Sequence, residues 1–122
     1  MGTTEAKLVG ECKRRLLDVK MDLLNRVRDT RGNLSFEDKG GDDADQSARV
    51  LAEAETLSLH ERLRSQLLDI ELALSRIENG TYGICEETDE QIEHERLLAI
   101  PWTRLSIEGA EIRESVQKRY AR

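Results

Sequence analysis

Apolar residues recur between Thr4 and Arg31 at Val9, Cys12, Leu16, Val19 and Leu23, each three or four residues after the last. Side chains so spaced fall on one narrow stripe of an α-helix, the seam of a coiled coil. Leu8, Leu17, Leu24 and Val27 widen the stripe. Gly10 is the weak position, since a glycine inside a helix costs about 1 kcal/mol. Gly32 and Asn33 supply the stop, because both residues tolerate the left-handed conformation of a C-cap. A second helix is predicted to begin at Asp43 or Asp45, where Asp43 and Gln46 resemble a capping box. It should run to about Glu78 and end at Asn79-Gly80. Its seam is Leu63, Leu67, Ile70, Leu74 and Ile77, decaying towards its start into Val50, Ala54 and Leu57, with Thr56 and His60 intruding.

Two seams of similar length joined by a short connection predict antiparallel neighbours. Leu34 to Asp45 form the loop or tip between them, with Gly40, Gly41 and four aspartates. Beyond Gly80 the period changes. Tyr82-Gly83-Ile84-Cys85, an acidic turn, and the run Arg96 to Trp102 suggest a small knob of short strands and turns. Pro101, the single proline, breaks any helix there. A last helix should run from about Ile107 to Tyr120, with Ile112 and Val116 available to dock it on the knob. The expected fold class is mainly α: a long antiparallel coiled-coil hairpin, a small knob and a C-terminal helix. The expected division is 1–80 for the hairpin, with its tip near 34–46, and 81–122 for the knob and last helix.

Composition sharpens this picture. Charged residues are 36% of the 122 and aromatics 3%, which suits long helices with most of their surface wet. A net charge of -6 argues against a broad basic face for nucleic-acid phosphates. The charge is uneven. Thr3 to Arg31 carry eight Lys/Arg against five Asp/Glu, Glu37 to Asp45 five acids against one Lys, and Cys85 to Arg96 six acids against one Arg. Two cysteines in unlike contexts make no disulfide framework, so a reducing cytoplasm is expected. No apolar run approaches the roughly 20 residues of a membrane span, and no signal peptide is visible.

Catalytic patterns are missing: no P-loop, no dinucleotide fingerprint, no HExxH, no nucleophile elbow. No enzyme is expected. Cys12 lies on the apolar stripe and is best read as a small buried hydrophobe. His60 reads as a partly buried seam residue. Cys85 and His94 are only two candidate ligands, against the usual four for structural zinc. Asp42, Asp43 and Asp45 could gather Mg2+, although such acids more often cap helices and line solvated loops.

The order of elements, with the strings N-G-T-Y-G-I-C-E at 79–86 and R-L-L-A-I-P at 96–101 and the closing I-R-E helix, resembles the DksA/TraR family of bacterial transcription factors. The resemblance spans nearly the whole chain and is strongest from Arg76 to Glu114. It implies a hairpin inserted into the secondary channel of RNA polymerase, altering initiation without binding DNA. The family's four zinc cysteines would fall on Cys85, Thr88, Ser106 and Gly109, of which one thiol remains. The expectation is therefore no zinc and no other cofactor, with a knob held by packing of Ile84, Ile92, Leu97, Leu98, Ile100, Trp102, Leu105 and Ile107. The family's tip motif D-x-x-D-x-A falls on Asp42, Asp45 and Ser47, the serine standing where the family has alanine. Basic residues that bind the alarmone ppGpp would align with Asp69, Ile100 and Ala110, so ppGpp synergy should be weak or absent. RNA polymerase is the expected partner of a monomer, with neither DNA nor membrane contacted. Two rival readings are a Gre-like stimulator of transcript cleavage and a coiled-coil adaptor or scaffold, the latter expected to self-associate.

Overall fold

The structure, a computed structural model, describes residues 3–33 and 43–120. It contains α1 (Thr3–Asn33), α2 (Asp43–Asn79), α3 (His94–Ala99) and α4 (Ile107–Tyr120). The predicted helices are present, and α1 continues through Gly32 to Asn33 instead of stopping before them. The strands expected in the knob are not. Among the described residues the only β-pairing is an isolated antiparallel bridge between Ile84 and Gln91, and the run at 96–99 is helical. Ile100, the residue before Pro101, caps α3 with φ -132° and ψ 74°, outside the helical region that the proline ring disfavours in its predecessor. No helix among the described residues is long and apolar enough to cross a membrane.

The chain divides into two compact units, cut inside both long helices: unit 1 is Met1–Val19 with Asp69–Arg122, and unit 2 is Lys20–Leu68. In unit 1, Cys12 and Leu16 of α1 and Ile70 and Ala73 of α2 are buried. Cys12, Cys85, Ile92 and Leu97 form one apolar cluster, with Leu8, Tyr82, Leu98 and Leu105 packed against it. Cys12 thus has the buried role expected, its Sγ 3.6 Å from the Leu97 carbonyl oxygen, which accepts the thiol proton. Ile112 and Val116 do not dock α4, since both are exposed, as are Ile84 and Ile107. The α2 terminus closes as a Schellman motif. Gly80 takes a φ of 76°, its N–H donates to the Ile77 carbonyl at 3.3 Å, and the Thr81 N–H donates to that of Arg76 at 3.0 Å.

Among the described residues of unit 2, Leu23, Thr30 and Leu63 are buried. The Thr30 hydroxyl donates to the Val27 carbonyl at 2.9 Å, so it accepts from His60 Nδ1, also at 2.9 Å. His60 is half-buried, as the sequence predicts. The expected continuation through Val50, Ala54 and Leu57 is wrong, because all three are exposed. The half-buried positions are Arg49, Glu53, Thr56 and His60, which continue the register of Leu63 backwards in steps of three and four. The inner face here is polar, and the apolar residues stand outside it.

Candidate functional site

Two groups of the residues singled out by the sequence lie apart, one in each unit. The first is the start of α2. Asp42 lies outside the described residues; Asp45 and Ser47 sit in the first turns and are exposed. A helix N-terminus carries a partial positive charge that favours carboxylates, so Asp45 stabilises the turn on which it stands. Beside them Val50 and Leu51 are 64% and 62% exposed. With Gln46, Ser47 and Ala54 they line one shallow concavity. Sequence periodicity assigned Val50 and Ala54 to the seam and so missed this surface.

The second group is the finger at residues 80–115. A tight reversal brings it together. Cys85 N–H donates to the Glu90 carbonyl at 2.8 Å, Ile92 N–H to that of Gly83 at 2.8 Å, and Asp89 N–H to that of Cys85 at 2.9 Å. Asp89, with φ 59°, and Gly83, with φ 88°, take the left-handed conformations the turn needs. Glu86 N–H donates to the Arg104 carbonyl at 3.0 Å, tying this reversal to the segment before α4. Ser106 is the N-cap of α4: its Oγ accepts the Gly109 N–H at 3.0 Å. The same hydroxyl donates to Cys85 Sγ at 3.4 Å. The Glu93 carboxylate accepts the Ile107 N–H at 3.1 Å. Arg113 joins Glu87 at 3.0 Å and Glu86 at 3.6 Å. The Tyr82 hydroxyl donates to the Pro101 carbonyl at 2.7 Å, and burial pushes its ionisation far above the usual tyrosine range.

Cys85 and Ser106 therefore meet, and Gly109 lies against both. A Cβ on Gly109 would overlap Cys85 Sγ and come within 3.3 Å of Glu87 Cβ and Ser106 Oγ. Thr88 is half-buried on the same turn, its hydroxyl accepting the Glu90 N–H at 3.4 Å. Burial pushes the Cys85 thiol up, but hydrogen bonds from Ser106 and Thr88 outweigh it and bring it to about 6. One thiol, two hydroxyls and a glycine stand where the family pattern has its four cysteines. Among the described residues no group of three or more His, Cys, Asp or Glu is placed to hold a metal.

Two long helices followed by a finger of tight turns that includes α3 and the start of α4 place the chain in one class of proteins. Residues 80–115 match the family model of the prokaryotic DksA/TraR C4-type zinc finger. The chain is 37% identical over 103 residues to the RNA polymerase-binding transcription factor DksA of Caulobacter vibrioides, covering 84% of this chain and 72% of that protein. It superposes on the structure of transcription factor DksA2 from Pseudomonas aeruginosa with a TM-score of 0.82 and 32% identity, over 92% of this chain and 87% of that one. The RNA polymerase binding protein and transcriptional regulator Dks from Chlamydia trachomatis, 23% identical with a TM-score of 0.54, shares the fold. The chain belongs to the DksA/TraR family of bacterial transcription factors, and its fold is the coiled-coil hairpin with a finger region.

That family match corrects one expectation. The residues at the four cysteine positions predict no zinc; the match of 80–115 to a C4-type zinc finger indicates zinc binding for the region instead. What the residues at the four positions do in this structure is hold the turn and the cap. Ser106 starts α4, Cys85 fills the space against Gly109, and Thr88 fixes the turn. The N-cap role of Ser106 was readable in the sequence as a serine directly before a predicted helix start.

Proposed function

We propose that this protein enters the secondary channel of RNA polymerase and modulates initiation through the acids at the start of α2, Asp42 and Asp45, with Ser47 beside them. Residues 1–80 would supply the inserted hairpin and 81–122 the base that docks outside. The observation that carries this is the match to DksA over 72% of that protein's length. Exposed Asp45 and Ser47 beside exposed Val50 and Leu51 fit it, since a carboxylate flanked by apolar side chains is how a protein contact, not a solvated loop, is built. The acids act electrostatically. Brought near basic side chains, mobile loops or catalytic Mg2+, carboxylates shift conformational balance and do no bond chemistry themselves. The protein works as a cytoplasmic monomer and does not touch DNA. The ppGpp-aligned positions Asp69, Ile100 and Ala110 offer no cation, and Asp69 would repel the anion, so synergy with ppGpp is weak or absent.

The test compares wild type with Asp42→Asn/Asp45→Asn in pulldown on core polymerase and in transcription from a responsive promoter. The double variant should still bind and lose its effect on initiation. Wild type that fails to bind polymerase would end this reading. A transcript-cleavage assay on stalled complexes separates it from a Gre-like activity, which it predicts to be absent.

A further inference from the structure

Unit 1 holds a groove that neither the finger positions nor the acidic tip accounts for. Leu8 and Val9 of α1, Ile84 and Ile92 of the finger reversal and Leu97 line it, with Gln91 and His94 among its polar members. Its volume is about 160 Å³, well below the roughly 300–1,000 Å³ of a small-molecule site and suited to one large side chain. The groove is apolar but open. Ile84 is 42% exposed although its backbone is fixed by the bridge to Gln91. Glu5 stands at the rim, and among the described residues no cation pairs with it. The acids of 85–96 outnumber the one Arg six to one. Glu86 and Glu87 are taken up by Arg104 and Arg113, and Glu93 by the α4 terminus. Glu90 and Glu95 are exposed and stand next to Gln91 and His94 of the groove lining. An apolar slot for one side chain with an unpaired carboxylate at its edge selects a bulky apolar residue next to a cation.

We propose that this groove seats a single leucine-sized or aromatic side chain of RNA polymerase, flanked there by Lys or Arg. The proposal rests on the polymerase reading above and gives that reading an anchor separate from the tip. The groove supplies affinity and the acids supply the effect.

Equilibrium binding to core RNA polymerase tests it with Ile84→Asp, which puts a charge on the groove wall, and Glu5→Lys, which reverses the rim. Ile84→Asp should raise Kd roughly tenfold, the scale of losing one well-seated side chain. Glu5→Lys should raise it about threefold and flatten the dependence on salt. Both variants should recover full regulation when added in excess, whereas Asp42→Asn/Asp45→Asn should keep its affinity and never regulate. Glu5 lies at the rim outside the buried cluster, so Glu5→Lys decides the matter even if Ile84→Asp misfolds. Unchanged Kd in Glu5→Lys would overturn the groove assignment and leave the tip reading standing. If wild type does not bind polymerase at all, both fall. Variants that lose self-association in sedimentation while binding polymerase normally would reassign the groove to a second copy, which also overturns the proposal.

Discussion

In unit 1 the inner face excludes water with Cys12, Leu16, Ile70, Ala73, Cys85, Ile92 and Leu97, all at or near zero exposure. In unit 2, Leu23 and Leu63 are buried, and beyond them the same register passes through His60, Thr56, Glu53 and Arg49. The parts of both stretches that lie on α1 and α2 keep the spacing of three and four that a helix seam needs. The period makes a helix amphipathic, but the side chains at the seam decide how firmly it closes. Unit 1 is built for fixed geometry. Unit 2 gives up apolar burial inside and keeps Val50, Leu51 and Leu57 outside, where they add nothing to the closing of its seam. Opening of unit 2 should accordingly need less free energy than opening of unit 1.

The widest separation between the two should come from equal truncations. Leu16→Ala removes a fully buried side chain and should lower stability by about 2–5 kcal/mol, as large-to-small changes in packed cores do. Leu57→Ala, at an exposed site, should change it by less than about 0.5 kcal/mol. Chemical denaturation followed by circular dichroism reads both. If Leu57→Ala costs as much as Leu16→Ala, the assignment of inner and outer faces in unit 2 is wrong.

Next in size is Gly109→Ala. Alanine is the better helix former by about 1 kcal/mol, yet its Cβ would collide with Cys85 Sγ, which is buried and bonded to Ser106. Overpacking of this kind costs about 1–3 kcal/mol, so a net loss is expected. Adding Cys85→Ala should relieve it, and the double-mutant cycle should show coupling between the two sites. Additive effects would mean the two residues do not share the space.

Ser106→Ala should cost about 1 kcal/mol, the usual loss for an N-cap. Ser106→Asp should retain the cap but place a charge beside Cys85, so its recovery should be partial. Thermal melts decide. A Ser106→Ala melt identical to wild type would remove the N-cap from the account of why α4 begins at Ile107.

These same residues show what could be read from sequence. The stripes Val9 to Leu23 and Leu63 to Ile77 were legible because apolar residues occupied the seam itself. Near the tip the seam is polar, so matching apolar residues to a period picked out Val50, Ala54 and Leu57, which lie on another face. Carrying the register back from Leu63 through His60 would have found Thr56, Glu53 and Arg49. The finger misled differently. Ile84 and the 96–100 run have strand-like composition, but residues 83–92 close a reversal too short for a ladder, and 94–99 wind a short helix before Pro101. The tip acids Asp42 and Asp45, with Ser47, came from resemblance and remain a proposal. The groove was invisible, because Leu8 and Val9 meet Ile84 and Ile92 only after the chain has folded.

The smallest effect belongs to the surface of unit 1. Glu11 accepts from Arg14 Nη2 at 2.6 Å and Nε at 3.2 Å, and from Arg15 Nε at 3.0 Å. Hydrogen bonds from Arg14, then Arg15, outweigh the slight desolvation and lower its carboxyl from 4.5 to about 2. A depressed carboxyl pKa stabilises the folded state fully above the unfolded value, and that stability disappears as pH falls through the folded one. Glu11→Gln should therefore melt below wild type at pH 5 and above. The gap should close between pH 4.5 and 2, and shrink in 0.5 M salt because exposed pairs are screened. Arg15 also donates from Nη1 to the Leu98 carbonyl at 2.6 Å, so Glu11 helps hold the arginine that reaches the finger. Arg15→Met should cost more than Glu11→Gln and show less of this pH dependence. A Glu11→Gln melt that tracks wild type at every pH would mean that Arg15 keeps its contact with Leu98 without the carboxylate.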